Sequence, residues 1–372
     1  MQGTSQGVAH GAPRDAALTR LRFFLIGWVI LYHLDLPLRV SAGVPALGPV
    51  FRHGYLGVDG FFLLSGFALW LGYGARPPWG RAGIADFLRR RFAKIWPLHA
   101  LALVALALLV GLAAAAGATI RDPERFGLDD FFLQLFLLNA WETTTRHAWN
   151  YPSWALSVEW AGYLAFPLVL AALIRLPRLL LPAVPLLGFA GIFLLDMRDP
   201  AVGMNYTLHL GLLRFFLEFA TGLGIGRLIT EGLLPRGLLW AALLALPIGL
   251  WLEWDAVTVL GLAALIPLLR RPVPATAAPS RPDLLLRLGE ASFGVYLCWV
   301  FIEAGLVLVL RRIDPGLAGR AGLMVAGFLA SLVAGWLAWR FVEVPANRWL
   351  LRRRARPAAV PAEGARVASG KA

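Results

Sequence analysis

LRFFLIGWVILYHLDL, residues 21–36, decides how the rest of the chain is read. Arg22 stands at its start and His33 near its end, with ten uncharged residues between them. If this run crosses a membrane it does so as a helix, because a helix satisfies its own backbone hydrogen bonds without water. At the helical rise per residue, the eleven steps from Arg22 lift His33 by about 16 Å. Ionisable groups at such depth are costly, so a functional site is the first hypothesis for them. The plainer account is that both side chains snorkel to opposite headgroup layers. That account suits Arg22 better than His33, because of residues further along the chain.

Composition sets the class. Of the 372 residues 59% are hydrophobic and 15% are charged, with mean hydropathy +0.67. A soluble domain of this length carries more charge, so the chain reads as an all-α polytopic membrane protein. The first apolar run lacks a small-residue cleavage site, so no cleaved signal peptide is expected. The net charge of +13 is almost wholly arginine, with lysine only at Lys94 and Lys371. Such an excess belongs to cytoplasmic loops, and nucleic acid is not expected as a partner. The arginine, alanine and leucine bias suits a GC-rich bacterial genome. The single cysteine, Cys298, lies in an apolar run and excludes both an intrachain disulfide and a thiolate metal cluster.

Ten spans are expected: 21–36, 55–74, 95–116, 154–174, 179–195, 208–229, 233–252, 255–269, 289–310 and 319–342. The stretch 131–141 is too short to cross. Loop charge supports this count. With Arg14, Arg20 and Arg22 inside, the basic loop from Arg76 to Lys94 is inside too. The acidic loop with Asp122, Glu124, Asp129, Asp130 and Glu142 falls outside, and later loops alternate correctly as far as Arg287. Arg311 and Arg312 alone lie on the wrong side, partly offset by Asp314. Letting 131–141 cross would invert every later loop, so it is expected to be one short re-entrant or interfacial helix. Residues 1–17 are expected to form a disordered cytoplasmic tail, 18–351 the transmembrane domain, and 352–372 a basic, then disordered, cytoplasmic tail. The protein is thus placed in the inner (plasma) membrane with both termini cytoplasmic.

In this topology His33, Asp59, Ser157 and Glu159 come from three spans to a similar outer depth. A shared polar pocket explains that with one cause. An imidazole beside a carboxylate has its tautomer fixed and its basicity raised, which suits a general base acting on a hydroxyl. Either Asp59 or Glu159 fits the carboxylate. A metal site is not expected, for want of a second histidine at ligand spacing. At the other face, DFLRRRFAKIWP (86–97) alternates arginines with apolar residues. It suits contact with anionic membrane lipid, docking of a phosphate-bearing donor, or both.

Taken together these residues resemble the integral-membrane acyltransferase family 3. Its arginine ten residues before a histidine is matched by Arg22 and His33, and its GxxGVDxFFxLSG segment by Gly54, Gly57, Val58, Asp59, Phe61, Phe62, Ser65 and Gly66. The RxxxR motif is matched by Arg90 and Lys94, followed by Trp96 and Pro97. The WSLSVE-type segment is matched by Trp154, Ser157, Glu159, Tyr163 and Pro167. LGEASFGVYL (288–297) and FVEVPANRWL (341–350) look like the last two spans. The matches run in order from 18 to 350. Lys94 replaces the second arginine, Trp160 stands where a second acidic residue is common, and Cys298-Trp299 stands where a Trp-His pair is common. No extracellular hydrolase-like domain is expected, as in stand-alone members.

The resemblance implies transfer of an acyl group, usually acetyl, from acyl-CoA to a hydroxyl of a carbohydrate, glycolipid or glycosylated metabolite. Arg22, Arg90, Arg91 and Lys94 then bind the phosphates of acyl-CoA, which is made in the cytoplasm. The thioester threads up to His33, oriented by Asp59 or Glu159, while Ser157 donates to the oxyanion. The rival reading is a proton-coupled transporter or polar-solute channel using His33, Asp59 and Glu159 as a relay. The absence of an internal repeat argues against it.

Overall fold

The computed structural model describes residues 15–117, 119–120, 122–270 and 283–352. Of the expected tails 1–17 and 352–372, residues 1–14 and 353–372 lie outside the described residues, as do the loop arginines Arg271 and Arg281, whereas Ala16, Ala17 and Arg352 are helical. Asp15 opens the first helix, its carboxylate accepting from Ala17 N at 2.9 Å and Leu18 N at 3.3 Å. That pairs two of the four backbone donors left unsatisfied at a helix start.

Apart from single turns, the helices are α1 Ala16–Leu38, α2 Gly57–Tyr73, α3 Gly80–Ala115, α4 Leu128–Leu135, α5 Trp154–Arg175, α6 Ala183–Arg198 and α7 Gly211–Thr230. They continue as α8 Arg236–Leu243, α9 Ala245–Leu252, α10 Asp255–Leu269, α11 Leu284–Glu290, α12 Ser292–Leu310, α13 Leu317–Ala338 and α14 Val344–Arg352. Among the described residues, 7 helical stretches are long and apolar enough to cross a membrane by length and composition. The α7 helix carries Arg214, Glu218 and Arg227, and two shorter apolar stretches cover Arg236–Leu252 and Asp255–Leu269. Each of the expected spans coincides with one of these.

The stretch expected not to cross contains only the eight-residue α4, followed by irregular chain to Asn150. Non-helical backbone at membrane depth is tolerated only where protein groups satisfy it. Here they do. The Trp96 indole donates to Leu135 O at 3.0 Å, and His99 Nε2 bonds Gln134 O at 2.8 Å. In the irregular chain itself, Leu137 O accepts from the Ser157 hydroxyl at 2.8 Å and Ala140 N donates to it at 3.1 Å. Leu137 and Glu142 take left-handed φ values of 58° and 57°, which bulky residues adopt only when their surroundings fix them.

Helices α2 and α7 pack backbone against backbone. Any Cβ on Gly66 would collide with Phe219 O, and any Cβ on Gly222 with Leu63 O. Small residues here let two backbones touch, the usual device where lipid supplies no hydrophobic drive. Phe62 and Phe215 then meet edge to face at 4.9 Å in the core between α2, α5 and α7. Gly222→Ala is expected to cost roughly 1–3 kcal/mol, the usual overpacking penalty, read by reversible unfolding in detergent. Gly237→Ala, at an open position on α8, serves as the control and should not destabilise. Equal stability of the two variants would contradict the close packing.

Candidate active site

At one end of the bundle His33, near the end of α1, stacks on Trp299 of α12 with centroids 4.1 Å apart and planes 24° apart. Tyr32 stands edge-on at 4.8 Å and Tyr151 at 6.0 Å. The Tyr151 hydroxyl donates to Glu303 Oε2 at 2.9 Å. His33 Nδ1 is enclosed without a hydrogen-bond partner, as is the Trp299 indole nitrogen, while the ring as a whole stays partly accessible. That leaves Nε2 as the nitrogen able to meet a reactant.

The other end is basic. Arg91 turns into the bundle, its guanidinium carbon 5.3 Å from the Tyr163 ring, 5.4 Å from Phe87 and 5.8 Å from Tyr73. Cation–π contacts of this kind hold a charge among apolar rings while leaving its donors to a ligand. Arg91 Nε is enclosed and makes no hydrogen bond. Arg22 adds positive potential at the same Tyr163. Lys94 pairs with Glu343, which is 4% exposed and lies on a π-helical turn, Trp339–Glu343. Such turns are rare and often serve function. Arg90 differs from expectation: its side chain is 55% exposed and bonded to Asp86 at 2.7 Å, so it faces the surface rather than the path through the bundle.

Between the two ends the carboxylates take partners other than His33. Asp59 is fully buried and bonded by both oxygens to Arg214, with Nε to Oδ1 at 2.9 Å. Glu159 accepts from Ser65 at 3.0 Å and from Tyr163 at 2.6 Å. The expected hydrogen bond from His33 to either is therefore absent from this arrangement. A guanidinium outcompetes a neutral imidazole for a buried carboxylate, because an uncompensated buried charge is the costlier outcome. Ser157 is corrected too. Its hydroxyl donates to Leu137 O at 2.8 Å and accepts from Ala140 N at 3.1 Å. A hydroxyl has one proton, so none remains for an oxyanion.

The expected pocket overlooked Arg214, Glu218 and Glu303. A signal for the first two was present: an arginine and a glutamate four residues apart inside the apolar run GLLRFFLEFATG share one helix face. Glu303 lies mid-helix in α12, one turn beyond Trp299, and could have been found the same way. Among the described residues no group of three or more His, Cys, Asp or Glu is placed to hold a metal ion.

Arg214 and Glu218 are both fully buried, 3.9 Å apart, and Asp59 already takes the guanidinium. Two carboxylates thus share one cation. Arg214→Ala strands Asp59 and should cost about 3–5 kcal/mol. Glu218→Gln keeps the shape of a side chain whose oxygens make no hydrogen bond, and should stay within about 1 kcal/mol of the parent or exceed it. Equal losses in the two variants, by unfolding in detergent, would refute this division.

The profile of the acyltransferase domain family matches residues 15–340, nearly all of the described chain. Acyltransferase MdmB of Streptomyces mycarofaciens is 31% identical over 330 residues, covering 81% of this chain and 83% of its own. Exopolysaccharide production protein ExoZ of Rhizobium meliloti is 29% identical over 324 residues, covering 82% and 92%. No solved structure matches. A helical membrane bundle with a histidine enclosed by aromatic rings at one end and inward-turned cations at the other thus matches the acyltransferase domain model over most of its length and has a relative named for acyl transfer, and the chain belongs to the acyltransferase 3 family.

Proposed function

We propose that the protein moves an acyl group, acetyl in the simplest case, from acyl-CoA to a hydroxyl of a carbohydrate, glycolipid or glycosylated metabolite. The observation that carries this is the pairing of two ends of one bundle. Arg91 is turned inward among Tyr73, Phe87 and Tyr163 at one end, and His33 is stacked on Trp299 at the other. Along α1 itself the helical rise from Arg22 to His33 is about 16 Å, comparable with an extended pantetheine arm.

In this reading the phosphates of CoA rest against Arg22, Arg91 and Lys94, with Arg90 contributing from the rim. The face that carries them is cytoplasmic, as are both termini, and the membrane is the inner (plasma) membrane. The exposed basic start of α3 also meets anionic lipid headgroups. His33 Nε2 takes the proton of the acceptor hydroxyl as its oxygen attacks the thioester carbon. The C–S bond breaks, and the proton passes from the imidazole to the departing CoA thiolate. Glu303, reached through Tyr151, supplies the negative potential that stabilises the imidazolium. The family likeness to MdmB and ExoZ supports acyl transfer, and the name of ExoZ favours a carbohydrate acceptor.

The test is acyl-CoA turnover by the purified full chain in detergent. His33→Ala should lower it by about 10²–10⁴-fold, the range for a lost general base. Arg91→Ala should weaken donor affinity about tenfold, or about 1.4 kcal/mol, with a smaller change in kcat. A folded His33→Ala protein with full activity would overturn the scheme, and solute flux independent of CoA would favour a transporter. Sidedness is tested separately. A lone cysteine at Thr144, in a Cys298→Ser background, should react with an impermeant maleimide added outside intact cells. Reaction only after permeabilisation would invert the orientation.

A further inference from the structure

A cavity of about 380 Å³ opens beside the His33 end of the bundle, outside the cluster already described. It falls at the small end of the usual range for small-molecule pockets, roughly 300–1,000 Å³. Its floor is polar and buried. Asp255, 3% exposed, accepts through Oδ2 from the Tyr55 hydroxyl and from Met204 N at 2.8 Å. Its other oxygen makes no hydrogen bond and faces His53 Nε2 at 3.5 Å. Asp196, also lining the cavity, accepts from Ala256 N at 3.0 Å. The rim is formed by the Arg52–Glu253 pair and by Trp254, whose 41% exposed indole is held edge-on by Phe193 at 5.6 Å. Glu253 sits at a left-handed φ of 53°, turning the rim sharply into α10.

Three carboxylates, Asp196, Glu253 and Asp255, thus line a cavity whose one guanidinium, Arg52, is already paired with Glu253 and whose one imidazole, His53, lies against Asp255. Such a cavity disfavours an anion. Carboxylate oxygens accept from hydroxyls, and an exposed indole offers a flat apolar surface with a polar edge. Together they fit a sugar ring. The cavity is joined to His33 through rings packed edge to face, Tyr55 to Tyr32 at 5.3 Å and Tyr32 to His33 at 4.8 Å. Tyr32 stands between the cavity and the imidazole. A single sugar seated in the cavity does not present its hydroxyl to His33; a neighbouring unit of the same molecule does.

We propose that this cavity binds the non-reacting unit of a neutral, hydroxyl-rich acceptor of at least two sugar units, while the adjoining unit is acylated at His33. The inference rests on the acyltransferase reading given above. It makes Trp254 and Asp255 acceptor-binding residues, distinct from the donor contacts of Arg91 and Lys94.

The experiment measures transfer from radiolabelled acetyl-CoA, by the full chain in nanodiscs, to neutral oligosaccharides of one to six units and to their uronic-acid counterparts. Neutral members of two or more units should be acylated, with single sugars and uronic acids far poorer. Trp254→Ala should raise the acceptor KM about tenfold, or about 1.4 kcal/mol, and leave the donor KM in place. Asp255→Asn, which keeps the side-chain shape, should do the same and relax the exclusion of uronic acids. Trp254 lies on the rim, so its variant decides the matter if Asp255→Asn disturbs folding. An unchanged acceptor KM in Trp254→Ala, or acyl-CoA turnover with no transfer to any neutral member, overturns the inference alone. No acyl-CoA turnover by the parent protein overturns the acyltransferase reading, and the inference with it.

Discussion

Arg214 has no exposed surface, yet it carries a full charge in the middle of the bundle. Its pairing with Asp59 ties α7 to α2, and the glycines at 66 and 222 bring those helices close enough for the pair to form. A guanidinium at this depth is unaffordable without a carboxylate on the facing helix. The arginine also donates to Tyr206 O at 2.8 Å, anchoring the chain that enters α7, and lies against the Trp154 ring at the start of α5. Through one side chain the packing of α2, α5 and α7 is therefore interdependent. Two of these helices, α2 and α5, bring Ser65, Glu159 and Tyr163 together between the two ends of the bundle.

A second constraint shapes the segment between α3 and α5. Chain that is not helical needs its backbone groups met by side chains, and the polar residues of this region are committed to that task. His99, Trp96, Trp141 and Ser157 are all bonded to backbone carbonyls of the segment or its neighbours. The result is a rigid wall from which Tyr151 reaches the His33 ring. Polar residues in a membrane protein thus divide into those consumed by the fold and those left with unmet capacity. His33, Arg91 and Asp255 fall in the second group.

The helices were legible because hydropathy and loop charge are summed over many residues, and each expected span meets a helix. That 131–141 holds no long helix was legible from its length alone. The site was only partly legible. His33 stands out as a lone ionisable group in an apolar run and Arg91 as part of a basic cluster, but the partner of Asp59 lies 155 residues away in sequence. Nothing local to Asp59 announces Arg214. Ser157 misled because a serine next to a motif glutamate looks catalytic, whereas its bonds go to a segment seventeen and twenty residues earlier. Arg90 and Arg91 are adjacent, and only the rotation of α3 decides which faces inward.

The central claim is that a donor anchored at the Arg91 end delivers its acyl carbon to His33. Alkylation by bromoacetyl-CoA, mapped by mass spectrometry of the intact membrane protein, measures that reach directly. The account predicts modification at His33, suppressed by excess CoA and slowed in Arg91→Ala. Label confined to other residues, or unaffected by CoA, would contradict it.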